Sequence, residues 1–99
     1  MSTKVRELAK ISRVDLIIED HGCLILDLTF NYEGGSAQGL PLIVQGEDGG
    51  RTIKGIMEAV GVTSWRELRN KSCWVTQDSN AIYKIEPLHK NGGKVWTRG

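Results

Sequence analysis

The strongest constraint on the fold is a ten-residue run, residues 23–32, in which apolar and polar positions alternate. The apolar series comprises Leu24, Leu26, Leu28, Phe30 and Tyr32. Because successive side chains of a strand point to opposite faces, this period of two predicts a half-buried β-strand. A slip of one residue would turn the whole apolar series toward water, so the register of this strand is well specified.

The residues before this run predict a hairpin partner for it. Val14, Leu16 and Ile18 alternate there with Arg13, Asp15 and Glu19. The connection Asp20-His21-Gly22 has turn chemistry, because Asp can bond its own backbone and Gly accepts a positive φ. We therefore expect an antiparallel hairpin.

A third strand follows a break at residues 33–37. The apolar run resumes over residues 38–45 and contains Pro41. Proline has no N–H to donate to a ladder, so this strand is expected at a sheet edge or with a bulge.

The next segment has the spacing of an amphipathic helix over residues 52–61. Its apolar stripe consists of Ile53, Ile56, Met57 and Val60 at positions i, i+3, i+4 and i+7. Thr52 is the expected N-terminal cap, and Gly61 is expected to end the helix.

A capping-box pattern, Ser64-x-x-Glu67, predicts a second, short helix that ends near Asn70 and directs Trp65 and Leu68 inward. Two further alternating segments, 71–77 and 81–88, surround a turn at residues 78–80 and predict a second hairpin. Residues 94–99 either add an edge strand or hang free.

These elements predict an α+β fold: an antiparallel sheet of about five strands (two hairpins plus an edge strand) packed on one amphipathic helix, with a second short helix. Ninety-nine residues are too few for two independent cores, so residues 1–99 are expected to form a single domain. Residues 1–9 are expected to be a flexible or helical arm, and residues 89–99 a loose tail.

Composition narrows the setting of the protein. No apolar run approaches the roughly 20 residues that span a bilayer, and the polar N-terminus lacks a signal-peptide stretch, so a cytoplasmic protein without a membrane partner is expected. Two distant cysteines do not indicate a disulfide framework. Residues 1–48 carry 4 basic and 8 acidic side chains, whereas residues 49–99 carry 9 and 4. This asymmetry suits a two-faced molecule or a self-complementary homodimer.

Two glycine-rich segments have features of anion-binding loops. Residues 34–39 open like a phosphate loop, but Leu40-Pro41 stands where Lys and Ser or Thr are needed. This segment is interpreted as a flexible connector or as a shaped recognition loop in which Gln38 makes specific hydrogen bonds. Residues 49–52 lead into the helix and are interpreted as a plain loop and cap, with anion binding as the alternative.

No catalytic residue, metal site or cofactor is predicted. The four soft ligands, His21, Cys23, Cys73 and His89, lack a zinc-type spacing. His21 and Cys23 are two residues apart across a turn, which does not favour a nucleophile with its base.

Aromatic and basic residues in the second half of the chain predict a recognition surface. Trp65 is expected in the core, whereas Trp74 and Trp96 fall among polar and basic residues. The residues predicted to bind a partner are Trp74, Arg66, Arg69, Lys71 and Gln38.

Three segments of the chain together resemble the sequence pattern of a known family. Ile18-Glu19-Asp20-His21-Gly22, Gln38-Gly39, and the stretch from Ile56 to Leu68 with its Val-Gly-Val-x-x-Trp-x-x-Leu pattern occur in this order. Over roughly residues 10–88 the chain resembles a family of short uncharacterised proteins encoded in tailed-phage and prophage genomes. The resemblance implies a phage protein in the host cytoplasm and brings no enzymatic activity or cofactor.

Small phage proteins of this kind often bind and block a host factor, including nucleases of antiviral defence such as CRISPR effectors. The resemblance therefore implies a non-enzymatic binding protein that modulates or inhibits a host protein. The alternative is a nucleic-acid-binding accessory protein that uses the basic, Trp-containing C-terminal half. A third hypothesis is a small-ligand pocket around His21, Gln38 and Gly39.

Overall fold

The computed structural model describes residues 4–78, 81–89 and 94–98. In chain order its elements are β1 (Lys4–Ile18), β2 (Leu24–Tyr32), β3 (Ala37–Ile43), α1 (Gly49–Val60), a 3-10 helix (Trp65–Leu68), β4 (Ser72–Asp78), β5 (Ala81–Pro87) and β6 (Trp96–Thr97). Within these residues the strands form one antiparallel sheet in the order β3-β2-β1-β4-β5-β6. The α+β prediction is confirmed. The sheet has six strands in place of about five, because β6 adds to the five expected ones.

The N-terminal arm is where the structure departs most from expectation. Residues 4–9 are neither helical nor loose but belong to β1, and residues 4–10 pair with Asp78–Ser72 of β4. This strand pairing joins two segments that are far apart in the chain, so a local pattern could not reveal it. Residues 1–3 lie outside the described part.

The core lies between α1 and one face of the sheet. The alternation predicted for β2 is confirmed, since Leu26, Leu28 and Phe30 are fully buried. Of the predicted apolar stripe, Ile56 is fully buried, and Ile53, Met57 and Val60 pack partly buried against the core. The helix also buries Ala59, which was not part of the predicted stripe.

The helix begins earlier than expected. Its N-cap is Asp48, so the prediction of Thr52 as the cap is wrong. The reason is a close approach: a Cβ on Gly49 would lie 1.5 Å from the carbonyl oxygen of Val44. Only glycine lets α1 start directly against the end of β3. Gly61 ends the helix as predicted, with φ +92° and its N–H donating to Met57 at 2.8 Å.

The second helix is a single 3-10 turn. The Ser64 side chain makes no capping hydrogen bond, so the predicted capping box does not form. The Glu67 carboxylate, which a capping box would use to bond the Ser64 N–H, instead accepts a hydrogen bond from Thr63 Oγ1 at 3.4 Å. Leu68 is fully buried and Trp65 packs partly on the core, as predicted.

The sheet edges also bear on the predictions. β3 is an edge strand, which confirms the interpretation of Pro41. In β5, strict alternation is wrong: the register shifts opposite Thr76 and Gln77, and Ile82 and Ile85 are both buried.

The C-terminal tail forms an edge strand where the structure describes it. Trp96 and Thr97 pair with Ile85 and Lys84, so a loose tail is wrong for these two residues. Residues 79–80, 90–93 and 99 lie outside the described part. In the described ranges, neither helix has the length and apolar character to cross a membrane.

Candidate interaction surface

The sheet face opposite α1 carries the candidate site. On β1 the side chains of Lys4, Arg6, Leu8 and Lys10 alternate with the core-facing ones and so lie on this open face. On β4 their neighbours are Asp78, Thr76, Trp74 and Ser72 respectively. In the described ranges, the buried residues of both helices belong to the core on the other side of the sheet.

Trp74 is held at the centre of this face by charged neighbours. The guanidinium carbon of Arg6 lies 4.2 Å from the centroid of the Trp74 ring. Arg6 Nε also contacts Glu86 Oε1 at 3.1 Å, and Lys84 Nζ contacts Glu86 Oε2 at 3.9 Å. We call Arg6, Trp74, Lys84 and Glu86 the tryptophan patch. Glu86 orients Arg6 over the indole, and the half-buried Trp74 is not part of the core cluster.

A second cation and aromatic ring extend the patch toward the start of β1. Lys4 Nζ lies 4.9 Å from the centroid of the Tyr83 ring. The face therefore combines aromatic rings with cations that partly cover them.

Three predicted basic residues lie where the chain enters β4. Arg66 is on the 3-10 helix, Arg69 follows it, and Lys71 directly precedes β4. All three are exposed, and within the described ranges none forms an ion pair. The carbonyl of Lys71 accepts a hydrogen bond from the Ile11 N–H at 2.8 Å, which ties this segment to the middle of β1.

Gln38 lies apart from the other predicted residues. It is on β3, on the side of the sheet that faces α1, and Tyr32 Oη donates a hydrogen bond to its Oε1 at 2.7 Å. Burial, and then the nearby Glu7 and Cys73, raise the pKa of Tyr32 to about 12. Gln38 and Trp74 lie on opposite faces of the sheet, and β2 and β1 lie between their strands. The segment before it is a tight turn, with Gly35 at φ +99° and its N–H donating to the Tyr32 carbonyl at 2.9 Å.

Trp96 also lies on the other side of the sheet. It is half-buried and packs against the core, and its Cδ1 lies 3.2 Å from where a Cβ on Gly55 would be. The expectation that Trp96 is an exposed recognition residue is therefore wrong, because β6 turns its indole toward α1.

The small-ligand pocket is also wrong. His21 is at the tip of the first hairpin, whereas Gln38 pairs with Phe30 near the opposite end of β2. Gly39 follows Gln38, so the three residues do not converge.

The groups considered for catalysis and metal binding are likewise separated. His21 Nδ1 lies 3.2 Å from Glu19 Oε2, and Cys73 is fully buried on β4. Burial raises the pKa of the Cys73 thiol to about 12, which keeps it protonated at neutral pH. Among the described residues, no three potential metal ligands come together.

Arg6 and Glu86 are the site residues that the sequence predictions missed. Residues 4–9 give only an imperfect alternation, since Glu7 falls between Val5 and Ala9 on one face and Leu8 follows Lys4 and Arg6 on the other. The sequence predictions placed residues 1–9 in an arm and therefore did not place Arg6 on the sheet.

Searches against protein-family models, curated proteins and solved structures find no match to this chain.

Proposed function

We propose that this chain is a phage-encoded, non-enzymatic protein that binds a host protein in the host cytoplasm and modulates or inhibits it. An antiviral defence nuclease such as a CRISPR effector is the proposed class of target. The phage setting rests on the sequence resemblance. The observation that supports binding is the Arg6–Trp74 stack on the sheet face opposite α1, against which neither helix of the described residues packs.

The tryptophan patch has the composition of a binding hot spot. Trp and Arg are enriched among residues whose truncation costs most binding energy. Glu86 holds Arg6 at 3.1 Å, so less side-chain freedom is lost when a partner docks. A partner that offers an acidic group and an apolar surface would complement this arrangement.

The charge of the patch favours a protein over a nucleic acid. Glu86 lies between Arg6 and Lys84 and would repel a phosphate, whereas a protein surface can supply both signs. Exposed Arg66, Arg69 and Lys71 at the start of β4 would increase the rate of encounter with an acidic partner.

Charge reversal tests this proposal. Arg6→Glu removes the stack and places two carboxylates together, so capture of the host protein from lysate by the tagged chain should be lost. Arg51→Glu, on the exposed side of α1, is the matched control and should retain capture. Thermal melting of both variants checks that the fold persists. Equal capture by wild type and the folded Arg6→Glu variant would exclude the patch as the binding site.

The alternative, a nucleic-acid-binding accessory protein, is favoured by one observation: Lys4 and Lys10 share the open face with Trp74. Titration with a labelled duplex and a labelled single strand decides between the two. Binding that falls steeply as salt rises, and that is lost with Lys10→Glu, supports this function. No binding at low salt rejects it.

A further inference from the structure

The second half of β1 has a free edge. On the side facing β4, strand pairing covers only Lys4 to Lys10. Two more bonds follow, from Ile11 N–H to the Lys71 carbonyl at 2.8 Å and from Asn70 N–H to the Ile11 carbonyl at 2.7 Å. Beyond Ile11, no main-chain hydrogen bond leaves β1 on this side within the described residues.

The direction of the free main-chain groups follows from the ladder. Glu19 N–H donates to the Cys23 carbonyl at 3.0 Å, so odd-numbered residues in this part of β1 bond to β2. In an antiparallel ladder, even-numbered residues then direct N–H and C=O to the other side. Val14, Leu16 and Ile18 therefore present unpaired donors and acceptors along this edge.

Side chains at this edge are apolar and exposed. Leu16 is 50% exposed, Ile17 42% and Ile18 74%. Proteins usually protect a sheet edge with charges, proline or a covering loop. β3, the edge strand beside β2, carries Pro41 in this manner, but residues 14–18 of β1 contain only one charge, Asp15.

We propose that a second copy of this chain occupies the free edge, with the two β1 strands pairing antiparallel about a two-fold axis at Leu16. Leu16 then lies opposite its own counterpart, and Val14 lies opposite Ile18 of the second copy. Each of these residues has its main-chain groups directed outward, so the pairing forms about six hydrogen bonds. On the α1 side, the same three side chains form one apolar layer across the axis.

Charge selects this register. Centring on Leu16 places Arg13 opposite Glu19 of the second copy. Moving the axis one residue toward the N-terminus would place Asp15 opposite Asp15, and moving it one residue the other way would place Asp15 opposite Glu19. Like charges directly opposite each other destabilise a strand pair, so both neighbouring registers are disfavoured.

Charge at the ends of the pairing agrees with this register. Lys71 pairs with Ile11 on the same edge of β1. In the proposed dimer, the first hairpin tip of the second copy would lie along this edge directly after Lys71. Glu19 and Asp20 at that tip thus come next to exposed Lys71. The acidic first half of one copy meets the basic second half of the other, which relates the charge asymmetry of the chain to its assembly.

Molar mass measured by sedimentation equilibrium on the full chain tests the proposal. Wild type should dimerise, and Leu16→Lys should raise the dissociation constant at least about tenfold by placing two ammonium groups on the axis. Ile18→Lys, at the most exposed position, is a second variant in case Leu16→Lys does not fold. The matched control is Ile43→Lys, 68% exposed on the β3 edge, which should leave the dimer intact.

Cross-linking tests the register. In a Cys23→Ser background, Leu16→Cys should form a disulfide-linked dimer on mild oxidation, because its Cα would lie about 5.5 Å from its counterpart. Ile18→Cys should not, since its counterpart would lie about 13 Å along the strand. A monomer at concentrations up to about 1 mM, or a dimer broken by Ile43→Lys and not by Leu16→Lys, would overturn the proposal. The tryptophan patch is at the other end of β1, so host-protein capture and dimer mass can fail independently.

Discussion

The Arg6 guanidinium carbon lies 4.2 Å from the centroid of the Trp74 ring, and the two residues are on adjacent strands that are far apart in the chain. This stack depends on the pairing of β1 with β4, so the interaction surface exists only when the N-terminal strand is in place. The tryptophan patch is thus a product of the complete sheet and not of the C-terminal half alone.

The stack should contribute measurably to stability. Arg6→Met removes the cation above the ring and its contact with Glu86, and we expect a loss of about 1 kcal/mol in the free energy of unfolding. In a double-mutant cycle with Trp74→Leu, measured by urea unfolding, the coupling should be about 0.5 to 1 kcal/mol. Arg6→Gln with Arg51→Gln as the control separates the stack from a general charge effect. A coupling of zero would mean that the two side chains do not interact in solution.

The sequence correctly predicted the elements whose structure is determined by their own periodic pattern. Alternation from Leu24 to Tyr32 and the stripe from Ile53 to Val60 are set by burial against one core face, and both are found. The start of β1 depends on a partner far along the chain, and the start of α1 depends on contact between Gly49 and Val44. Neither contact leaves a periodic signal in the sequence.

The predictions of site residues succeeded for Trp74 and failed for Gln38 and Trp96, for a similar reason. The alternation of Cys73 and Val75 with Trp74 placed the tryptophan on the open face, because one strand decides which face a residue occupies. The positions of Gln38 and Trp96 could be predicted only from the places that the edge strands β3 and β6 occupy in the sheet. Only that topology turns Gln38 toward Tyr32 and Trp96 toward α1.

Two adjacent glycines in the first turn of α1 should respond oppositely to alanine. Gly49→Ala would place its Cβ 1.5 Å from the Val44 carbonyl oxygen, so the helix must shift away from β3. We expect a loss of about 2 kcal/mol or more. Gly50→Ala has no atom within 4 Å of the new Cβ and should be stabilising by about 0.5 to 1 kcal/mol. Urea unfolding of both variants measures the difference. Equal effects would contradict the close packing of Gly49.

The two cysteines should differ in reactivity. Cys73 is fully buried, and burial raises the pKa of its thiol to about 12, so the reactive thiolate is scarce at neutral or mildly alkaline pH. Cys23 is partly exposed beside the first hairpin turn. A thiol reagent should label one cysteine in the folded protein and both in denaturant. The Cys23→Ser variant, as the control, should remain unlabelled until it unfolds. Rapid labelling of folded Cys23→Ser would show that β4 opens readily.

The first hairpin should weaken in acid through Glu19. Hydrogen bonds from the His21 side chain, and then from the backbone N–H of Cys23, lower the pKa of Glu19 below its ordinary value of 4.5. A lowered folded-state pKa means that this stabilisation is present above about pH 4.5 and is lost as the pH falls through the folded-state pKa.

Glu19→Gln should therefore reduce the free energy of unfolding near neutral pH, and its difference from wild type should shrink at about pH 3. Urea unfolding at both pH values, together with the amide shifts of His21 and Cys23 followed by NMR, measures this change. Glu33→Gln is the control at the next turn, because within the described residues the Glu33 side chain accepts no hydrogen bond. A Glu19→Gln effect that is the same size in acid and at neutrality would show that the carboxylate charge does not stabilise the turn.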